Sequence, residues 1–157
     1  MRLANAMQVG IISDTHGLMR PQALAALAGS DLIIHAGDVG APTVLNALSQ
    51  LAPTFAVRGN IDQDEWSASL PEQLDVQVGH LKFHVLHRLS DLLIDPAAEP
   101  IAAVIYGHSH KPLIEWKADV LHLNPGSAGP RRFKLPITVA RVRISGKGIE
   151  PELLTVL

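Results

Sequence analysis

Five short polar clusters, each closing an apolar run, constrain this 157-residue chain more than any other feature: Asp14-Thr15-His16, Gly37-Asp38, Gly59-Asn60-Ile61-Asp62, His87, and Gly107-His108-Ser109-His110. Residues 9–12 form a short apolar run with β-branched side chains, bounded by Ser13 and Asp14. That pattern predicts a buried parallel strand. Pro21 suits the first turn of a helix over 22–28, which Gly29 ends. A second strand is predicted over 32–35, a second helix over 41–50, and a third strand over 54–57. Strand, helix, strand, helix, strand is the order of a parallel sheet. Sites in such sheets lie outside the carboxyl ends of the strands. The first three clusters all fall at those ends, so the pattern predicts one shared site.

Further along, strands over 74–78 and 81–86 flank Gly79-His80 and predict a hairpin. A short helix is expected over 89–94 and a strand over 102–106, directly before Gly107. Strands follow over 113–116, 120–123, 138–144 and 149–156, with a turn at 145–148. The length suits one domain spanning 1–157, and 47% apolar residues supply a substantial core. Residues 1–7 read as a loose extension ahead of the first strand. A net charge of −2 gives no footprint for general nucleic-acid binding. No 18-residue apolar stretch suggests a membrane span. The absence of cysteine excludes disulfides and fits a reducing cytoplasm, the expected location.

The clusters together offer two Asp, one Asn and four His. These are oxygen and nitrogen donors suited to divalent transition metals. Seven donors exceed what one tetrahedral ion uses, but two ions sharing a carboxylate would use them all. Paired metals roughly 3.5–4 Å apart are a known device for phosphoester hydrolysis. Each cluster also has a plainer reading. Asp14 and His16 could be a turn and a helix cap. Gly-Asp and Gly-Asn are common in turns. His35 and His122 read as structural or supporting residues, His80 as a solvated turn residue, and His84 as a residue packed within its sheet.

The order D-x-H, GD, GN-x-D, a His after a strand, then GH-x-H resembles that of the calcineurin-like metallophosphoesterases. Asn124-Pro125-Gly126-Ser127 with Pro130-Arg131 resembles the tail of their small bacterial and archaeal phosphodiesterases, the YfcE type. The resemblance runs from about Gln8 to the C-terminus. It implies a four-layer α/β/β/α sandwich. It also implies that Asp14, His16 and His110 hold one metal, that Asn60, His87 and His108 hold the second, and that Asp38 bridges both. Within this set Asp38, Asn60 and His87 are taken as catalytic. Asp62 is implied to support its loop or orient a His. An extended backbone is expected at 14–16 and 108–110, so that each Asp-x-His or His-x-His pair faces one way.

Two positions depart from the family pattern. Ile61 stands where many members carry a proton-donating His, which favours phosphodiesters over monoesters. Arg88 follows His87 where Gly is usual, and Arg88 and Arg131 are the candidate substrate contacts. The implied reaction is in-line attack on phosphorus by a hydroxide held between the ions. The expected cofactors are two divalent ions, Mn²⁺ first, with Fe, Ni, Co or Zn as alternatives. The expected partner is a small phosphoester, with a homo-oligomer allowed. The alternatives are a non-catalytic protein-binding scaffold of the same fold, or a nuclease.

Overall fold

The computed structural model describes residues 6–157. Residues 1–5 of the expected N-terminal extension lie outside the described residues, and its last residue is strand. Strand β1 (Met7–Ile12) starts two residues earlier than the apolar run suggested, because Met7 and Gln8 pair with Ile144 and Arg143. The remaining elements are α1 (Pro21–Leu27), β2 (Leu32–His35), α2 (Pro42–Ser49), β3 (Thr54–Ala56), β4 (Gln73–Val78), β5 (Leu81–Leu86), β6 (Ala103–Ile105), β7 (Leu113–Lys117), β8 (Val120–Asn124), β9 (Thr138–Ser145) and β10 (Gly148–Thr155).

Two five-stranded sheets result, in the orders β10-β9-β1-β2-β3 and β4-β5-β6-β8-β7. In the first, β1 runs parallel to β2, and β2 to β3. In the second, β5, β6 and β8 are mutually parallel. Antiparallel strands flank both parallel triplets. Pro151 falls on the edge strand β10, where a missing ladder donor is tolerated.

The layers follow from which face each side chain takes. Val9, Ile11 and Ile34 of the first sheet meet Phe83, Val85, Ile105 and Leu123 of the second in one continuous core. On the opposite face of the first sheet, Ile12, Ile33 and Val139 bury Leu27 of α1 and Val44 and Leu48 of α2. On the outer face of the second sheet, Leu86, Val104, Tyr106 and Val120 are covered by Leu89, Leu92, Ile94 and Ile101.

This fourth layer carries no α-helix among the described residues. The helix expected over 89–94 shrinks to one 3₁₀ turn, Leu89–Asp91. A six-residue span cannot repay helix nucleation, and Pro96 bars Asp95 from extending it. A second 3₁₀ turn, Glu65–Ser69, was not foreseen. No described helix is long and apolar enough to cross a membrane.

The consequence for function is directional. All six parallel strands end at one edge of the sandwich, and the polar clusters begin there.

Candidate metal centre

The five clusters converge. Asp14, His16 and His110 bring one donor atom each to within 4.8 Å of one another, and Asp38, His87 and His108 do the same. Asn60 joins the second group, with its Oδ1 3.2 Å from His108 Nδ1. The groups also meet each other. Asp38 Oδ2 lies 3.5 Å from His16 Nε2 and 3.2 Å from His87 Nε2, so one oxygen sits between them. Asp14 Oδ1 is 3.4 Å from His110 Nε2 and 3.8 Å from His87 Nε2.

These separations suit a metal. Ligand atoms around a tetrahedral ion at about 2.1 Å stand roughly 3.4 Å apart. Asp14 Oδ1 and His16 Nε2 are buried with no hydrogen-bond partner among the described residues. Orphaned polar atoms of this kind cost about 1–3 kcal/mol each, and a cation between them would satisfy both. The donor set and its geometry therefore fit divalent metal.

The backbone achieves this differently from the extended segments expected. Asp14, His16, Asp38, His108 and His110 have φ of 56°, 49°, 56°, 73° and 65°. A left-handed residue reverses the chain within one step, so each loop folds its donor back over the strand end. Asp and His tolerate this region better than most residues, although it still stores strain. Gly37 has φ +102°, and a methyl group there would lie 2.7 Å from His87 Nδ1. Gly59 packs against Asp38, whose backbone nitrogen and Oδ1 occupy the place of a side chain.

Hydrogen bonds set the orientation of each donor. His87 donates from Nδ1 to the Ala36 carbonyl at 2.8 Å, which leaves Nε2 as a lone pair facing the centre. Asp14 Oδ2 accepts from the Ser13 hydroxyl at 2.7 Å and the His108 N–H at 3.1 Å, freeing Oδ1. The Ile61 N–H donates to Asp38 Oδ1 at 3.0 Å. Asp62 accepts from the N–H groups of Val39, Gly40 and Gly59, so it fastens two loops and has no place among the donors.

Electrostatics keep the carboxylates ionised. Burial opposes charge on Asp14, but His110, His16, His87 and Ser13 outweigh it and hold its carboxyl well below the usual range. Asp38 is lowered too: His87 and the Ile61 N–H overcome its burial. Burial pulls His87 down, but Asp38 and Asp14 raise it above an ordinary His. His108 is lowered by burial, then by the charge of His87 and, more weakly, that of Arg88.

Several other assignments separate cleanly. His84 sits between Asp75 Oδ1 at 2.6 Å and Gln73 Oε1 at 2.8 Å, on the outer face of its sheet. His80 is exposed in the β4–β5 turn. His122 contacts the Val120 carbonyl within its own strand. Arg88 lines an open cleft beside His87 and Asn60. Arg131 does not line it: its guanidinium donates to the carbonyls of Leu135 and Leu157, which tie down the loop it sits on. Arg58, not expected as a site residue, lines the same cleft; its signal in the sequence is its place directly before Gly59-Asn60.

A calcineurin-like phosphoesterase superfamily domain matches residues 7–147, and the chain belongs to that family of metal-binding hydrolases. A probable metallophosphoesterase of Methanothermobacter thermautotrophicus is 31% identical, over 94% of this chain and 92% of the relative. Among solved structures, an archaeal phosphodiesterase is 26% identical with a TM-score of 0.78, over 94% of this chain and 100% of its own. Vps29 of Entamoeba histolytica, solved with zinc, shares the fold at 20% identity and a TM-score of 0.71, over 96% of this chain and 100% of its own.

His35 supports the centre from beneath and gives a testable consequence. It is fully buried. Its Nδ1 accepts from the Gly37 N–H at 3.1 Å, and Nε2 faces the Thr15 hydroxyl at 2.9 Å. Thr15 donates its own proton to the Val39 carbonyl, so the network assigns the neutral Nε2–H tautomer. Burial, with the charge of His87, pushes its pKa down to about 4, against the pull of Asp14, Asp62 and Asp38. A folded pKa below the unfolded 6.5 stabilises the fold above pH 6.5, and this contribution is lost as pH falls through 4. Between those values, metal-free wild type should lose on the order of 3 kcal/mol more stability than His35→Asn. Urea unfolding across this range checks it, and parallel curves for the two proteins would refute it.

Proposed function

We propose that this chain is a dinuclear-metal phosphodiesterase acting on small phosphoesters. The observation that carries the reading is Asp38 Oδ2, placed between a His of each donor group. On this reading Asp14, His16 and His110 hold one ion, Asn60, His87 and His108 hold the other, and Asp38 is shared. Bound ions would supply a hydroxide nucleophile near neutral pH and counter-charge for the phosphoryl oxygens. Mn²⁺ is the metal we favour, with Fe, Ni, Co and Zn compatible with the same donors.

The protein's own contribution is arrangement. Asp38 stays ionised and oriented through the Ile61 N–H, and His87 is held in one tautomer by Ala36. The first group is largely buried, whereas His108 and Asn60 are exposed. A phosphate therefore approaches over these two residues. Metal binding alone does not separate this reading from a scaffold role of the same fold; turnover does.

The reading makes two predictions. Metal analysis after reconstitution should give two ions per chain in wild type and fewer in Asp38→Ala, with activity on an aryl phosphodiester falling at least about 100-fold. His84→Ala should keep both ions and lose only about 1–2 kcal/mol of stability through its contacts with Asp75 and Gln73. Wild-type metal content or rate in Asp38→Ala, or metal loss in His84→Ala, would show that the donor set is wrong.

The second concerns Ile61, which is 40% exposed next to Asn60 and has no proton to give. General-acid help is worth about 10²–10⁴-fold. Wild type should therefore prefer diesters and activated aryl esters to alkyl monoesters. Ile61→His should raise the rate on alkyl monoesters more than on activated diesters. Faster hydrolysis of alkyl monoesters than diesters by wild type would contradict this.

A further inference from the structure

Beside the donor cluster lies a cleft of about 460 Å³ that shares His87 and Asn60 with it. That volume falls within the range of small-ligand sites. Two arginines line it, Arg58 directly before Gly59-Asn60 and Arg88 directly after His87. Among the described residues each guanidinium is held by one edge only. Arg58 Nη2 donates to Glu72 at 3.1 Å, and Arg88 Nε to Asp91 at 3.1 Å. The rest of each five-donor fork has no protein acceptor among these contacts.

Both pairs are solvent-exposed: the side chains of Arg58 and Glu72 are 34% and 78% exposed, and those of Arg88 and Asp91 are 48% and 52% exposed. Such pairs are weak. They steer the guanidiniums without sequestering them, and a stronger oxyanion competes for the free edges. Phosphate does this best, because its oxygens accept paired N–H donors and its second charge matches a second cation. The rest of the lining sets Glu72, Gln73, Ser90 and Asp91 beside Leu86 and Leu93, so polar groups outweigh apolar ones and a lipid or bare aryl group gains less there than an anion.

We infer that this cleft receives a second, non-scissile phosphate of the substrate, clamped between Arg58 and Arg88. The inference rests on the phosphodiesterase reading for its orientation, since the scissile group lies over Asn60 and His108. The substrate class is thus a phosphodiester that carries an additional phosphate.

Thymidine 3′,5′-bisphosphate and thymidine 5′-monophosphate differ by one phosphate and serve as probes. Calorimetric titration of the Mn²⁺-loaded protein should show the bisphosphate binding about 10–100-fold more tightly. Arg58→Gln and Arg88→Gln should each cut that ratio at least about threefold, and the double variant should bring it close to one. Arg141→Gln should leave the ratio intact, because Arg141 pairs with Glu152 on the β9–β10 hairpin, outside the cleft. Equal binding of the two probes by wild type, no binding of either, or a ratio that survives the double variant overturns the inference.

The parent reading is scored separately by turnover of thymidine 5′-(p-nitrophenyl phosphate) with and without a 3′-phosphate. No turnover of either, with the binding ratio present, removes the hydrolase reading and leaves the clamp. Equal turnover of both, with a binding ratio of one, removes the clamp and leaves the hydrolase.

Discussion

The structure depends on concentrating donors where two sheets end. Asp14 and Asp38 must lie close together, buried and ionised, and that arrangement is unfavourable by itself. Five of the residues involved also adopt left-handed backbone. A strained residue costs about 1–3 kcal/mol, and whole domains have only about 5–15 kcal/mol to spare. The surroundings must therefore over-determine this conformation. They do so with backbone bonds between loops: Asp14 N–H to Gly37 O at 3.0 Å, His16 N–H to Asp38 O at 2.9 Å, and Gly107 N–H to His87 O at 2.9 Å. Three more N–H groups converge on Asp62.

Other bonds join the two sheets. His87 leaves β5 in the second sheet and reaches Ala36 after β2 in the first. The His108 N–H, after β6, reaches Asp14, after β1. Ser127 and Ala128, after β8, bond to the carbonyls of Asp14 and Ser13. The centre thus locks the sheets in register at one edge, while the core around Phe83 and Ile105 locks them between their faces. Any ligand that binds only the assembled centre would stabilise the whole sandwich by mass action.

Much of this was legible in the sequence, for a specific reason. Strand ends in a parallel sheet must change from apolar to polar, so Asp14, Asp38 and Asn60 were visible as breaks after β-branched runs. His87 was separable from His84 by its place just past the strand end, and in the structure His84 instead faces Asp75 from within β5. Backbone conformation was not legible. Left-handed φ at Asp14 or His108 is enforced by contacts more than twenty residues away, such as Gly37 O and Asp14 Oδ2. Short-range rules also failed where tertiary contacts decide, as with the 3₁₀ turn at Leu89–Asp91.

Charge balance links the centre to the kind of ester it suits. On the dinuclear reading, the protein meets two divalent cations with only two carboxylates, Asp14 and Asp38. Asn60 is neutral, and the four His bind metal only when neutral. Two positive charges remain uncompensated. A monoanionic diester and one hydroxide nucleophile neutralise them; a dianionic monoester with the same nucleophile overshoots by one. No cation at position 61 would absorb that excess, because Ile61 replaces an imidazole there. Further charge on the substrate must therefore be met outside the centre, and the arginines that border it, Arg58 and Arg88, stand in the cleft that His87 and Asn60 open onto.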